Sequence, residues 1–186
     1  MAAAPVSTTV LERFPTLPDR EGYEYLDGRW VKIPMGNESA FIAGELFATV
    51  REFVRRERLG VAMPPDTGYQ IWPDAPYRYR RPDASFISRE RLTGTELGEP
   101  HSNVPPDLAI EVISPNDRGA DIDVKVREYL DAGVLLVWVI YPKSRSVHIY
   151  RADGTSGRLT DDSTLSGESI VPGFSIPVRE LFNRPS

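Results

Sequence analysis

The run Asp107-Leu-Ala-Ile-Glu-Val-Ile-Ser114, followed by Gly119-Ala-Asp-Ile-Asp-Val-Lys-Val-Arg-Glu-Tyr-Leu-Asp-Ala132 and then by Val134-Leu-Leu-Val-Trp-Val-Ile140, reads as strand, helix, strand. The first segment is apolar and short, and Ser114-Pro115-Asn116-Asp117 ends it. In the second, Ile122, Val126, Tyr129 and Leu130 recur at helical spacing, and Gly133 stands where a helix stops. The third is a continuous valine-rich run, the pattern of a strand covered on both faces. Two strands joined through one helix form a parallel crossover, so the chain is of the α/β class.

Outward from this unit, Gly22 to Ile33 holds two short alternating runs around Asp27-Gly28, which predicts an N-terminal β-hairpin. A helix is expected from Glu38 to Arg58, with Ile42, Leu46, Thr49, Val50, Phe53 and Val54 on its period and Gly60 as its stop. Val61–Met63, Thr67–Trp72 and Ala84–Ile87 have strand character, and Arg89 to Pro106 reads as a long polar connection. Ser146–Arg151 is a further strand, followed by short strands around Leu165, Ile170 and Phe174 and a helical turn at Val178–Phe182. The expectation is a loose arm over residues 1–20 and one domain over 21–183, with a central mixed sheet flanked by helices.

Composition narrows the chemistry. The chain has 186 residues, no cysteine and two histidines, His101 and His148. Thiolate chemistry is excluded, and a metal would have to be held by carboxylates. No basic segment precedes an apolar core at the start, and the apolar run Val134–Tyr141 is far shorter than the ~20 residues of a membrane span. The expected location is therefore the cytoplasm, without membrane attachment. A net charge of −5 argues against a generally basic nucleic-acid coat, although local stripes coexist with it. Tyr77-Arg-Tyr-Arg-Arg81 interleaves bases and aromatics, which makes Arg78, Arg80 and Arg81 candidates for nucleic-acid contact. Arg55-Arg-Glu-Arg58 is a second stripe and reads as a solvated helix end.

Strand alternation puts Leu108, Ile110 and Val112 on one face and Ala109, Glu111 and Ile113 on the other. A carboxylate in a buried strand costs several kcal/mol unless a cation or donors compensate it, so Glu111 marks either a site or a buried ion pair. In Arg81-Pro-Asp-Ala-Ser-Phe86, Asp83, Ser85 and Ile87 point one way; alone, Asp83 reads as a turn or cap. Lys125 sits beside the buried stripe of its helix, where its stem could carry an ammonium to the carboxylates or pair with Asp121 or Glu128. Together the three have one chemical logic. Two carboxylates on adjacent strands can hold Mg²⁺ or Mn²⁺, and a lysine can neutralise a phosphoryl transition state.

The segments Gly22-Tyr-Glu-Tyr-Leu-Asp-Gly28, Arg81–Phe86, Pro106–Pro115, Asp121–Leu130, Ala132-Gly-Val134 with Val137-Trp-Val139, and Pro172-Gly-Phe174 together resemble the Uma2 (DUF820) family of endonucleases, within the PD-(D/E)XK, restriction-endonuclease-like superfamily. The resemblance implies a restriction-endonuclease-like core, Asp83 and Glu111 as metal-binding acids and Lys125 as the catalytic lysine. In the superfamily's usual motif the lysine follows the acid by two residues on the same strand. Ile113 stands there in this chain, and the lysine lies on the following helix. The resemblance also directs attention to an acid on the first helix, Glu38 or Glu45, and Gln70 is a further polar candidate. The expectation is a metal-dependent nuclease acting on nucleic acid, DNA rather than RNA, as a homodimer or higher homo-oligomer. A non-catalytic nucleic-acid-binding or protein-interaction scaffold with the same fold is the alternative.

Overall fold

The computed structural model describes residues 18–183 except 19, 27, 33–35, 66, 94–100, 116 and 118. The expected arm over 1–20 thus lies outside the described residues, apart from 18 and 20. Six strands form the central sheet in the order β3-β4-β5-β6-β7-β8: Gly60–Met63, Ala84–Ser88, Leu108–Val112, Leu136–Tyr141, Ser146–Arg151 and Ser156–Leu159. Only β5 and β6 pair in parallel, and the helix between them, Gly119–Asp131, supplies the crossover. The other neighbours are antiparallel, so the sheet is mixed.

Two apolar clusters sandwich this sheet. The helix Asn37–Arg56, here α1, buries Ile42, Ala43, Leu46, Val50 and Val54 against Phe86, Leu108, Ile110, Val112 and Trp138. A short helix α2 (Arg89–Leu92) follows β4, and α3 is the crossover helix Gly119–Asp131. On the second face Ile122, Val126 and Tyr129 of α3 meet Ile87, Ala109, Val137 and Val139, with Tyr69, Ile71 and Trp72 alongside. Alternation therefore sorts the side chains as the sequence implied, and Glu111 emerges on the α3 face.

A separate antiparallel hairpin, β1 (Tyr23–Leu26) with β2 (Arg29–Lys32), precedes α1 as expected. Another, β9 (Thr164–Ser166) with β10 (Ser175–Pro177), leads into a 3₁₀ turn at Val178–Phe182. Two expectations need correction, and one strand was not expected. Thr67–Trp72 is not a strand: only Tyr69 makes isolated bridges, to Arg80 and Ser102. Ile170 lies in a turn rather than a strand. The edge strand β8 is too polar to show periodicity, and the sequence pattern does not reveal it.

Candidate active site

The site is assembled from both sides of the β4–β5 pairing. The register sets Ala84 against Ile110, and the Asp83 N–H donates to the Ile110 carbonyl at 2.9 Å. Asp83 thus enters β4 beside Glu111, on the same face. Asp83 is 8% exposed and Glu111 5%. One Asp83 oxygen, Oδ2, accepts the Val112 N–H at 2.6 Å; no described residue donates to Oδ1.

Lys125 stands on the buried stripe of α3, as its spacing implied. Its Nζ donates to Glu111 Oε2 at 2.8 Å, and one helical turn on the Tyr129 hydroxyl donates to Glu111 Oε1 at 2.9 Å. The exposed alternative, pairing with Asp121 or Glu128, is not adopted. Instead Lys125 Nζ lies 2.9 Å from Oε1 of a residue that the sequence pattern did not single out, Glu24 on β1.

Glu24 is almost wholly buried and accepts Arg80 Nη1 at 2.8 Å and the Arg81 N–H at 2.9 Å. The loop 67–81 places it there. Tyr25 and Tyr79 exchange backbone hydrogen bonds at 3.0 and 2.8 Å, and Tyr69 and Arg80 do the same at 2.8 and 3.1 Å. The hairpin is thereby stitched onto the edge of the site. Gly68 makes this possible, because a Cβ there would come within 2.1 Å of the Tyr79 ring. The signal for Glu24 was a carboxylate set between Tyr23 and Tyr25, the same kind of mismatch that singled out Glu111.

The Tyr77–Arg81 stripe requires the largest revision. Arg80 is buried, and besides Glu24 it binds Glu128 through Nε at 2.9 Å and Nη2 at 2.5 Å. Arg78 reaches the other Glu128 oxygen at 3.2 Å, and Arg81 is buried with its guanidinium 5.3 Å from the Tyr79 ring centre. These arginines were expected to meet phosphates. Buried Glu24 and half-buried Glu128 hold Arg80 inside the protein instead, and a guanidinium spent this way cannot also neutralise a phosphate backbone.

Of the other candidates, Gln70 donates to the Pro76 carbonyl at 2.5 Å. Glu38 and Glu45 are exposed, on a helix that packs against the sheet face opposite Glu111. Only the first turn of α1 approaches the end of β5, where buried Ser39 donates to the Ile113 carbonyl at 3.0 Å. His101 is buried against the Tyr79 ring at 4.2 Å between centroids, while His148 is partly exposed beside Tyr141.

Electrostatics distinguishes the three acids. Burial pushes the Glu111 carboxyl up; Lys125 opposes this, but Asp83 and Glu24 add to it, and the result is about 8. Burial likewise raises Asp83 to about 6, against the pull of Lys125 and the Val112 N–H. For Glu24 burial also acts upward, yet Lys125, Arg80 and the Arg81 N–H outweigh it and hold the carboxyl below its ordinary value. Lys125 is lowered by burial and raised more strongly by Glu111 and Glu24, so it stays charged. Asp83 and Glu111 are thus the two carboxylates with too little positive charge around them.

That shortage is what a divalent cation would relieve, and the donor set fits one: two carboxylates on one face, with Asp83 Oδ1 still open to a partner. Among the described residues no group of three or more His, Asp or Glu side chains is arranged to hold a metal. Water and phosphate oxygens would have to complete an octahedral shell, as is common for Mg²⁺.

The family model described as "Uma2: Putative restriction endonuclease" matches residues 11–179. The chain belongs to the Uma2 family. Its fold is similar to that of a solved structure described as a putative nuclease belonging to DUF820 from Anabaena variabilis ATCC 29413, with a TM-score of 0.75 and 23% identity over 92% of this chain and 96% of that one. At that identity the likeness is one of fold. No curated protein matches the chain. In this Uma2 chain, no helix among the described residues is long and apolar enough to cross a membrane.

Proposed function

We propose that this Uma2 protein is a metal-dependent endonuclease that hydrolyses phosphodiester bonds, with DNA as its substrate. The observation that carries the reading is the convergence of Asp83, Glu111 and Lys125 on one buried face, with both acids held above their ordinary range. The family description as a restriction endonuclease supports DNA.

Asp83 and Glu111 would hold Mg²⁺ or Mn²⁺. Bound there, such a cation supplies an acidified water and a Lewis acid for the phosphoryl oxygens. Lys125 remains charged and sets its ammonium against the negative charge that develops on the phosphoryl group. Glu24 is the lysine's second anchor. If a cation were to take one Glu111 oxygen, Glu24 would still hold Lys125 Nζ, and Arg80 keeps Glu24 ionised and oriented. Tyr129 fixes the other Glu111 oxygen, so the carboxylate can exchange one partner without losing its rotamer. Cutting both strands of a duplex calls for two such sites, which a two-fold homodimer would provide; light scattering reads its mass.

The test pairs a plasmid-nicking assay with Mn²⁺ titration of thermal stability. Lys125→Ala is expected to lower cleavage about 100- to 1,000-fold, the usual loss when a transition-state charge partner is removed. Millimolar Mn²⁺ should raise Tm in the parent and not in an Asp83→Asn/Glu111→Gln variant. A parent whose Tm ignores Mn²⁺ and Mg²⁺ sinks the proposal. The scaffold reading draws on one observation, that both Glu111 oxygens already have protein partners; it gains if the parent binds duplex DNA but neither takes up metal nor cuts.

A further inference from the structure

The far end of β4 carries a second feature. A concavity of about 320 Å³ is lined by apolar Val54, Val61 and Leu92 and by Arg55, Arg58 and Arg89, with Gly60 between them. The arginines come from the end of α1 and the start of α2, and all three are exposed. Among the described residues none of the three is in a salt bridge, whereas neighbouring Arg56 is taken by Glu57 at 2.8 Å. The Arg89 guanidinium donates to the Arg58 carbonyl, and the Arg89 N–H donates to the Leu59 carbonyl at 2.8 Å, so the two sides of the concavity are tied together. Gathering like charges around one concavity is unfavourable unless an anion offsets it, and it is the more notable in a chain of net charge −5.

The backbone points the same way. α1 ends in a Schellman arrangement, with the Leu59 N–H donating to the Val54 carbonyl at 2.9 Å and Arg58 in the left-handed region at φ 57°. Glycine is the usual residue at that position, because a Cβ is crowded there. An arginine is held there against its backbone preference, as residues with a binding role often are.

We infer that this pocket binds a phosphodiester of the nucleic-acid backbone, outside the cleavage site and on the same substrate. The arginines match phosphate oxygens with paired donors, and exposed Val61 beside them suits a sugar face. From Asp83 to Arg89 the extended chain covers roughly 20 Å at ~3.3 Å per residue. A duplex spans that distance in about six base-pair steps of ~3.4 Å. In the stripe expected to hold the backbone, Arg80 and Arg81 are buried and Arg78 is paired with Glu128, and this pocket takes over that role. The inference rests on the nuclease reading, since it takes the ligand to be nucleic acid.

The experiment measures anisotropy of a labelled 20-base-pair duplex with the full chain in EDTA, across a salt series. Arg58→Gly and Arg55→Ala/Arg89→Ala are each expected to weaken binding about five- to tenfold and to lower the salt slope by about 0.9 for every phosphate that is no longer neutralised. Arg58→Gly should melt no lower than the parent, since glycine relieves the left-handed backbone, so weaker binding by that variant cannot be ascribed to unfolding. Arg158→Ala, on the opposite edge strand, should stay within about twofold of the parent. If the parent binds and the pocket variants bind equally well, or Arg158→Ala is as damaging, the pocket inference fails and the nuclease reading stands. If the parent binds no duplex at all, both fall.

Discussion

The two faces of the central sheet are built from alternate residues of the same strands and hold opposite kinds of surface. Toward α1, β5 presents Leu108, Ile110 and Val112, which pack with Trp138 and Phe86 in an apolar cluster. Toward α3 it presents Ala109 and then Glu111, and that face gathers Asp83, Lys125, Glu24 and Arg80 beneath an incomplete apolar cover. Burying apolar area stabilises at about 25 cal/mol per Å², while each buried carboxylate costs several kcal/mol before its partners compensate it. One face therefore holds the fold together, and the other retains groups that weaken it for the sake of chemistry.

Substitutions can break this comparison. Trp138→Ala empties the centre of the apolar face and is expected to cost about 3–5 kcal/mol in urea unfolding, with no dependence on metal. Glu24→Gln acts on the charged face. It leaves Lys125 with Glu111 alone and Arg80 with Glu128 alone, and should cost about 3 kcal/mol, as when one member of a buried ion pair is removed. Unlike Trp138→Ala, it should also weaken Mn²⁺ binding, and more in the parent than in a Lys125→Met background. Equal losses in the two backgrounds would show that Glu24 acts only through its charge and does not anchor the lysine.

pH sharpens the contrast further. Glu111 carries a folded value of about 8 against 4.5 ordinarily, and Asp83 about 6 against 3.8. Both are raised, so in EDTA their contribution to stability is complete below about pH 4 and is lost as pH climbs toward 8. Glu24 is shifted the opposite way, and its contribution is present above pH 4.5 and fades in acid. Glu111→Gln cannot ionise, so in EDTA it should be more stable relative to the parent at pH 8 than at pH 5. By the same reasoning Mn²⁺ should raise the parent's Tm more at pH 8 than at pH 5; an equal shift at both would place the metal elsewhere. The smallest effect belongs to Glu45→Gln, expected within about 0.5 kcal/mol and with unchanged cleavage, because that acid is solvated on the α1 side.

Much of the charged face is legible in the sequence. Alternation alone set Glu111 apart from Leu108, Ile110 and Val112 and grouped Asp83 with Ser85 and Ile87, and helical spacing put Lys125 beside the stripe that holds Tyr129. These are local regularities, fixed by the geometry of a strand and a helix. The β4–β5 register then brought the two acids to one face. The family resemblance named the chemistry, and the matched segments already included the one that contains Glu24.

Sequence by itself thus determined the strand–helix–strand core, the hairpin and the three residues proposed to act on phosphate. Only the tertiary structure decided which charges share a pocket. Glu24 meets Lys125 across 101 positions and Arg80 across 56. The inward turn of Arg80 depends on a hairpin docking against a loop that has almost no regular structure. Such pairings have no period to read, because an ion pair requires only that two side chains arrive at one place, and the path of the chain between them sets where that is.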